Sequence, residues 1–406
     1  MPNFLNEAQD LFEYTQTLRR DFHMHPELGF HEVRTAEIVA KELNALDMEV
    51  TTGVAKTGVV AMLEGAKPAR PGSAGRAGGP VVLIRFDMDA LPVTEQTGAA
   101  YASTDPGKMH ACGHDGHTAI GLTVAKMLHA HRDQLAGSVK FVFQPAEEGT
   151  CGEEIGGNEM MIREGVLENP KPDLALSLHL WNEKPLGWLG VAGGAVMAGA
   201  EIFNITVAGK GGHGAMPHQT ADPLLAASQI VTALQSITSR NVAPLQAAVV
   251  SVTMIHAGEA FNVIPPEAKM EGTIRTFELS VRETVLRRFD EIVHSTAKAM
   301  GCTAKVNVKR LTPALINADE IAARVQESAR AILPDSDLDM RGHLTMGAED
   351  MAFMLEKVPG CFFFVGSAND EKNLNYGHHH PKFDFDEAAL PRAVALMAGA
   401  VAEILK

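Results

Sequence analysis

The chain has 406 residues, of which 46% are hydrophobic and 21% are charged, and its formal net charge is −15 at pH 7. This length exceeds what one hydrophobic core usually organises, so we expect two domains. The negative charge argues against nucleic acid and acidic membranes as partners, and no apolar run is long enough to span a membrane.

The sequence is typical of a cytoplasmic protein. Its four cysteines are widely scattered, which does not predict a disulfide framework and fits a reducing compartment. The first residues have neither a basic region nor an apolar region of the kind found in signal peptides. We therefore expect no signal peptide.

Helices alternate with short strands in the first part of the chain, according to the periodicity of its apolar residues. The predicted elements are helix 5–20, helix 32–46, strand 48–52, strand 58–64, strand 81–86, helix 118–131, strand 138–144 and strand 173–178. The last three strands are apolar on both faces, as in a parallel sheet. A stretch rich in glycine, proline and alanine at 66–80 lacks the spacing of a phosphate-binding loop and predicts an exposed hairpin loop.

The pattern changes near residue 190. The next elements are strand 201–208, helix 221–239, strand 247–256, strand 268–277, helix 280–300 and strand 303–309. This β-α-β-β-α-β order is ferredoxin-like. We predict an α/β fold with a mostly parallel sheet flanked by helices, built from residues 1–190 and 311–406, and an inserted ferredoxin-like α+β domain at 191–310. The final segment should add strand 361–365 and helix 386–405 to the first domain.

The segment 109–118 offers one thiol, three imidazoles and one carboxylate, on Cys112, His110, His114, His117 and Asp115. These groups are ligands of first-row transition metals, and the glycines between them let residues two apart reach one ion. The alternative is a reduced cysteine in a polar loop before a helix. The segment alone does not select among its five possible ligands.

Other candidates follow the predicted buried strands, where open α/β sheets place their sites. If Glu148 binds a metal, the adjacent Glu147 lies beside the ion and is free to act as a general base; two solvated acids in a turn are an equal alternative. A lone histidine in an apolar run, such as His179, is more often a core residue, but this one follows the third strand. Three consecutive histidines at 378–380 cannot all reach one ion, so we expect one ligand among them.

Three further patterns are less favoured. His23 and His25 follow a helix and precede a proline, which favours packing or hydrogen bonding over metal ligation. Residues 209–214 match the glycine spacing of a dinucleotide-binding loop, but no helix opens directly after them; a glycine-rich turn that presents His213 is favoured. A nucleophilic Cys112 would leave the paired glutamates and the other imidazoles without a role.

Together these motifs resemble the dinuclear metallo-amidohydrolases, which include hippurate hydrolase, N-acyl-amino-acid amidohydrolases and indoleacetyl-amino-acid hydrolases. Aminoacylase and the carboxypeptidase G type of peptidase are related to them. The likeness covers nearly the whole chain and keeps one order of motifs. The matching motifs are residues 20–29, 87–92, 109–117 and 144–149, His179, and residues 210–213, 261–265 and 379–381.

The resemblance implies two divalent metal ions, a set of ligands and a catalytic base. The base is Glu147, and the last ligand is His379 by its His-x-Pro spacing, with His378 as the fallback. A thiolate ligand favours Zn, Mn, Co or Ni over Mg or Ca. The full set of implied ligands is Cys112, His114, Glu148, His179 and His379.

The resemblance also implies roles outside the ligand set. His213 would stabilise the oxyanion, in its own subunit or in a partner's site, and Asn262 and Arg275 would hold the carboxylate of the substrate. Asp89 would orient a ligand histidine, as acids beside metal sites commonly do. A homodimer or homotetramer is expected on the same ground.

The expected function is hydrolysis of the amide bond of a small N-acyl amino acid, such as hippurate or an N-acetyl-amino acid, by metal-activated water. An aminopeptidase or dipeptidase on the same scaffold is the closest alternative. A non-catalytic metal-binding protein is a third possibility, and it predicts loss of the base or of a ligand. Neither is missing from this sequence.

Overall fold

The structure is a computed structural model that describes residues 3–68 and 79–406. The hairpin loop predicted at 66–80 has its residues 69–78 outside this described part. The chain divides into two compact units. The first contains the described residues up to Gly194 together with Ile316–His343 and Asp350–Lys406, and the second contains Ala195–Leu315 and Leu344–Glu349.

The helices are α1 Phe4–Asp10, α2 Phe12–Met24, α3 Val33–Asn44, α4 His114–Ala130, α5 Gly157–Arg163, α6 Pro223–Ser236, α7 Leu279–Ala299, α8 Asp319–Ile332, α9 Met351–Leu355 and α10 Ala389–Ile404. The strands are β1 Glu49–Val54, β2 Gly58–Glu64, β3 Val81–Asp87, β4 Ser138–Gln144, β5 Leu174–Pro185, β6 Trp188–Gly190, β7 Gly194–Met197, β8 Gly199–Ala208, β9 Gly212–His213, β10 Ala248–His256, β11 Val263–Ile264, β12 Glu267–Thr276, β13 Thr303–Thr312, β14 Leu315–Asn317, β15 Asp337–Asp339 and β16 Gly360–Ala368. In the described ranges, no helix combines the length and the apolar character needed to cross a membrane.

The first unit is built on an eight-stranded sheet with the order β1-β2-β4-β3-β5-β16-β6-β15. The four central strands, β4, β3, β5 and β16, are parallel to one another. All seven residues of β3 are buried, as expected for a strand covered on both faces. Helices α4, α8 and α10 contribute buried residues to one continuous apolar core with these strands. The predicted parallel sheet flanked by helices is confirmed.

Helix α4 begins earlier than the sequence predicts. Gly113 has a φ of +93°, a left-handed conformation that glycine adopts without steric cost. This residue turns the chain directly into the helix at His114, four residues before the predicted start at 118. His117 therefore lies in the first turn of α4 and is fully buried. The N-terminal region also differs, because the single helix predicted at 5–20 is two helices that meet at Leu11.

Strand β5 is longer than the predicted strand 173–178, so His179 lies inside it and not after its end. The reason is the pairing with β16, which places Phe364 opposite His179 and continues beyond it. The pairing of β5 with β3 ends at Ser177. His179 thus still lies past the carboxyl end of the neighbouring strand, where polar side chains of α/β sheets gather.

The second unit is an antiparallel sheet of order β10-β12-β8-β13. Helices α6 and α7 supply buried residues to a core that includes Phe203 and Phe289, whose ring centroids are 4.6 Å apart. The order of elements and strands is that of the predicted ferredoxin-like domain. A short ribbon of β9 and β11 continues from the end of the sheet where β8 finishes and β12 begins.

Candidate active site

The candidate metal ligands come from four places in the first unit, all near the carboxyl ends of its parallel strands. Cys112 directly precedes α4 and His114 is its first residue. Glu148 follows β4, and His179 is inside β5. His379 lies in the loop between β16 and α10. The folding of the sheet therefore brings together residues that are up to 267 positions apart in the chain (from 112 to 379).

These side chains form a compact cluster. Cys112 Sγ is 3.5 Å from His179 Nε2, and His379 Nε2 is 3.2 Å from Glu148 Oε1. His114 Nε2 is 4.0 Å from the same Glu148 oxygen. Among the described residues, five groups have donor atoms within 4.8 Å of one another, and three of them consist only of predicted ligands and Glu147: Cys112, His114 and His179; Cys112, Glu148 and His379; and His114, Glu147 and Glu148.

The two buried histidines of the cluster are oriented by their outer nitrogens. His114 Nδ1 lies 3.0 Å from the Asp89 carbonyl oxygen and 3.2 Å from Asp89 Oδ1. His179 Nδ1 lies 2.6 Å from the Leu180 carbonyl oxygen. A ring held at Nδ1 presents Nε2 to the inside of the cluster, which is the usual arrangement of a metal-binding histidine. His114 Nε2 is buried, and no described residue hydrogen-bonds to it.

The electrostatics of the cluster favour a cation. Burial alone would lower the pKa of His114, but Asp87, Asp89 and Glu148 raise it to about 10. Burial, assisted by Glu148 and Glu147, raises the pKa of the Cys112 thiol well above its usual range. A buried pocket with this excess of negative charge stabilises positive ions. The unpaired His114 nitrogen and the mixed sulfur, nitrogen and oxygen donors fit borderline divalent metals.

Glu147 and Glu148 lie on the same turn but have different surroundings. Asp89 Oδ2 accepts a hydrogen bond from the Glu148 backbone N–H at 3.0 Å. The Asp350 backbone N–H donates to Glu147 Oε1 at 3.4 Å. The other oxygen of Glu147 lies 3.9 Å from His114 Nε2, so its carboxylate reaches the cluster from the turn.

His117 belongs to a different network. Its Nδ1 lies 2.6 Å from Asp87 Oδ1, and its Nε2 accepts the Leu180 backbone N–H at 2.9 Å. Asp87 is in turn paired with the buried Arg85 at 2.6 Å. Both ring nitrogens are occupied, so His117 fixes the backbone next to His179. The roles of Arg85 and Asp87 were not predicted, although a charged residue inside a buried strand was an available signal in the sequence.

Asp115 also turns away from the cluster. It accepts hydrogen bonds from Arg19 Nε at 2.8 Å, and its Oδ2 lies 2.7 Å from His23 Nδ1. The Arg19 guanidinium is completely buried. The contact of His23 agrees with the favoured prediction of a hydrogen-bonding role for this histidine. His25 Nδ1 lies 2.8 Å from the Asp21 carbonyl oxygen.

The side chains of the three consecutive histidines, at 378–380, have different surroundings. His379 has a φ of +66° and donates its backbone N–H to the Ala111 carbonyl at 2.7 Å. His378 is packed 4.9 Å from the Trp181 ring, and its Nε2 accepts the Asn182 backbone N–H at 3.3 Å. His380 stacks on Tyr376 with ring centroids 4.6 Å apart. Only His379 of the three has a ring nitrogen within 3.2 Å of Glu148.

Two of the three candidates in the second unit lie together. His213 in β9 is paired with Val263 in β11, and the Gly214 backbone N–H donates to the Asn262 carbonyl at 2.8 Å. His213 is exposed. Its Nδ1 accepts the Ala215 backbone N–H at 3.0 Å, so the neutral ring carries its proton on the exposed Nε2 side.

Arg275 lies towards the other end of the same sheet. In the pairing of β12 with β8, Arg275 is opposite Ala200, whereas Glu267, next to the β9–β11 ribbon, is opposite Ala208. The eight residue-to-residue steps from Glu267 to Arg275 extend over roughly 26 Å of strand. Arg275 is half-buried, and burial lowers the pKa of its guanidinium although Glu201 opposes this.

A buried cluster of thiol, imidazole and carboxylate groups beside the Glu147 carboxylate fits the metal centre of a hydrolase. Comparison with known proteins also indicates a hydrolase. The model of the peptidase family M20/M25/M40 matches residues 83–403. The chain belongs to this family.

Its relatives include hydrolases of several amide substrates. The N-acetylcysteine deacetylase of Bacillus subtilis is 38% identical over 92% of this chain and 92% of its own length. The IAA-amino acid hydrolase ILR1-like 2 of Arabidopsis thaliana is 34% identical over 98% of this chain and 87% of its own. Thermostable carboxypeptidase 1 of Saccharolobus solfataricus is 36% identical, with 95% and 94% covered.

A solved structure supports the metal content. The YXEP protein of Bacillus subtilis, described as a dinuclear metal-binding peptidase of the M20 family, superposes with a TM-score of 0.83. It is 33% identical, and the alignment covers 98% of this chain and 99% of that one. Together with the donor groups of the cluster, the likeness establishes a hydrolase of amide bonds that depends on two divalent metal ions.

Proposed function

We propose that this enzyme hydrolyses N-acyl amino acids, and that Glu147 is its general base. The observation that carries the proposal is the position of the Glu147 carboxylate, 3.9 Å from His114 Nε2 and on the same turn as Glu148. In the proposed site the Glu148 carboxylate, the Cys112 thiol and three imidazoles hold the metal ions. The proposed ligands are Cys112, His114, Glu148, His179 and His379.

When bound, the two divalent ions supply Lewis acidity, which lowers the pKa of water towards neutrality and polarises the amide carbonyl. Glu147 accepts the proton from the attacking water and then delivers it to the nitrogen of the leaving amine. The hydrogen bond from the Asp350 backbone N–H to Glu147 Oε1 orients the carboxylate for this transfer. Asp89 keeps the His114 ring turned towards the ions.

His213 and Asn262 contribute the groups that meet the substrate from the second unit. The exposed Nε2 side of His213 carries the proton that an oxyanion needs. Arg275 pairs with the substrate carboxylate, which suits a guanidinium. One small substrate cannot touch all three residues of a single unit, because roughly 26 Å of strand separates Arg275 from the β9–β11 ribbon.

One substrate can meet both Arg275 and the β9–β11 ribbon if they come from two different subunits. We therefore propose a homodimer in which His213 and Asn262 act in the partner's site. Strand β10 offers the surface, because it is an edge strand in the order of the described sheet, and Met254 and Ile255 on it are 45% and 48% exposed. An unpaired apolar edge is a template for pairing with a second chain.

The choice of an acyl group over a free amino group rests on two relatives whose names give N-acetylcysteine and an IAA-amino acid as their substrates. An aminopeptidase or dipeptidase is the alternative, and the carboxypeptidase relative shows only that peptide substrates occur among the relatives. The test is to load the protein with Zn, Mn, Co or Ni and to assay hippurate, N-acetylmethionine and a dipeptide. Turnover of the dipeptide alone would overturn the acyl-amino-acid proposal.

The base assignment has its own test. Glu147→Gln should abolish turnover while metal content measured by mass spectrometry stays unchanged. Glu153→Gln is the matched control, because Glu153 lies in the following loop, is half-exposed and pairs with Lys56 at 2.5 Å. If Glu147→Gln retained turnover equal to this control, the base would be another group.

Mixed dimers test the shared site. Equal amounts of His213→Ala and Glu147→Gln subunits should recover roughly a quarter of wild-type activity, because half of the dimers are mixed and each has one intact site. Each variant alone should be nearly inactive. No recovery on mixing, with exchange of subunits verified, would place His213 in its own subunit's site.

A further inference from the structure

Glu32 is a completely buried carboxylate to which the proposed reaction gives no role. It lies immediately before α3, at the position that usually caps a helix, yet its side chain makes no capping hydrogen bond. Its oxygens instead accept hydrogen bonds from the Ala146 backbone N–H at 2.9 Å and from Thr57 Oγ1 at 2.6 Å. Burying a carboxylate is unfavourable unless it is hydrogen-bonded in this way.

The residue that Glu32 holds has an unusual conformation. Ala146 has a φ of +47°, in the left-handed region that costs a residue with a Cβ roughly 1–2 kcal/mol. It is also the last residue before Glu147 and Glu148. The direction in which the chain leaves β4, and hence the placement of both glutamates, depends on this torsion angle. Its carbonyl is fixed as well, by the Gly157 backbone N–H at 3.0 Å.

The segment before Glu32 closes over the same turn. A Cβ added to Gly29 would come within 2.9 Å of Ala146 Cβ, which is too close for any side chain at that position. The backbone at Gly29 therefore packs closely against Ala146, and the Glu32 carboxylate accepts the Ala146 backbone N–H. No other described side chain accepts this N–H.

We propose that Glu32 is a positioning residue that holds Ala146 in the left-handed conformation and thereby aligns Glu147 and Glu148. The inference rests on the proposed roles of those two glutamates. It assigns a function in the reaction to a residue that lies 114 positions from Ala146 in the chain and is not itself in the metal cluster.

The first test is Glu32→Ala, compared with Glu27→Ala. Glu27 is the matched control because it accepts the Arg34 and Thr35 backbone N–H groups at 3.0 and 2.8 Å and so anchors the same segment without touching Ala146. Glu32→Ala should lower kcat by about 10–100-fold with KM changed less than about threefold, as misplacement of catalytic groups does. Glu27→Ala should lower thermal stability and leave kcat within about threefold.

The second test is rescue. Glycine adopts positive φ without steric cost. The kcat of the double variant Glu32→Ala/Ala146→Gly should therefore be at least about fivefold higher than that of Glu32→Ala alone, which is the lower end of what relief of left-handed strain supplies. Glu32→Asp keeps the charge, is shorter by one methylene and should also lower kcat. It tests the idea if Glu32→Ala fails to fold. A loss that Ala146→Gly does not recover would show that Glu32 acts by other means.

A readout without turnover separates this inference from the proposed function. Co²⁺ added to each metal-free variant should bind Glu32→Ala about 10-fold or more weakly than wild type, and with a shifted visible spectrum, because Glu148 is displaced. Glu27→Ala should keep the wild-type affinity and spectrum. If no acyl amino acid is hydrolysed, the proposed function fails and the Co²⁺ result still decides the role of Glu32. Identical Co²⁺ binding by Glu32→Ala and Glu27→Ala would overturn it.

Discussion

Replacing Arg19 by methionine should destabilise the first unit strongly. The Arg19 guanidinium is fully buried and pairs with Asp115 at 2.8 Å, Asp384 at 2.7 Å and Glu387 at 3.2 Å. It also lies between two aromatic rings, those of Tyr101 and Phe385, at 4.7 and 4.4 Å. Methionine has a similar length and leaves the buried carboxylates without their cation.

The size of the effect follows from burial. Removing one partner of a buried ion pair costs about 3–5 kcal/mol, because the remaining charge is left uncompensated. Arg20 is the matched control: it also pairs with Glu387, at 2.6 Å, but its side chain is 40% exposed. Exposed pairs contribute about 0–1 kcal/mol, so Arg20→Met should cost less than about 1 kcal/mol.

Urea unfolding of the metal-free variants measures the difference. Both tryptophans, Trp181 and Trp188, lie in the first unit, so their fluorescence follows that unit. If Arg19→Met lost no more stability than Arg20→Met, the buried network would not contribute to stability as argued.

The pH dependence of the same variant gives an independent check. Burial would raise the pKa of Asp115, but Arg19 and His23 outweigh it and hold that pKa far below its usual range. A carboxylate with a depressed pKa stabilises the fold above its unfolded pKa of about 4, and this stabilisation is lost as the pH falls. The deficit of Arg19→Met should therefore still be present at about pH 4 and shrink as the pH falls below that value. A deficit that stays constant below about pH 4 would show that packing, not charge, is lost.

Three further predictions concern the site. His117→Phe should weaken Zn²⁺ or Co²⁺ binding about 10–100-fold in chelator competition, because the Leu180 N–H beside His179 loses its acceptor; unchanged affinity would contradict this. Removing the metal with a chelator should abolish turnover and lower the unfolding temperature, and metal added back at 100 times its Kd should restore about 2.7 kcal/mol; a temperature unaffected by chelation would contradict a role of the metal in stability. Burial, with Asp89, raises the pKa of Glu32 to about 7, so the fold loses stability as the pH rises from about 4.3 to 7. Glu32→Gln should gain stability relative to wild type across that window in urea unfolding, and parallel pH curves would refute the shift.

The alternation of apolar runs predicted the helix-flanked parallel sheet of the first unit and the ferredoxin-like second unit. These features depend on local periodicity, which a single sequence contains. The early start of α4 depends on Gly113 adopting a φ of +93°. The length of β5 depends on pairing with β16, as in the pair of His179 and Phe364, which are 185 positions apart in the chain. Neither is visible in local patterns.

The site residues also fall into two groups: those that local sequence patterns indicated and those whose partners became apparent only in the fold. Cys112 stood out because segment 109–118 concentrates five possible ligands, and the paired glutamates stood out because two adjacent acids are unusual at the end of a buried strand. Glu32 did not, because its partner is the backbone of Ala146 and a backbone N–H leaves no mark in the sequence. Arg85 was visible as a charge within an apolar strand, but its partners Asp87 and Asp350 became apparent only in the fold.

The segment 109–118 contained five possible ligands, and the geometry of α4 explains why they separate. His114 and His117 are one turn apart on the same face of the helix, so both point at the sheet. His114 contacts Asp89 through Nδ1 and keeps Nε2 available. Both ring nitrogens of His117 are hydrogen-bonded, one with Asp87 and the other with the Leu180 backbone N–H. A difference of one helical turn thus separates a side chain that can hold an ion from one that fixes the strand beside it. Because these hydrogen bonds do not involve an ion, we expect the metal-free protein to keep this arrangement and to bind metal without refolding.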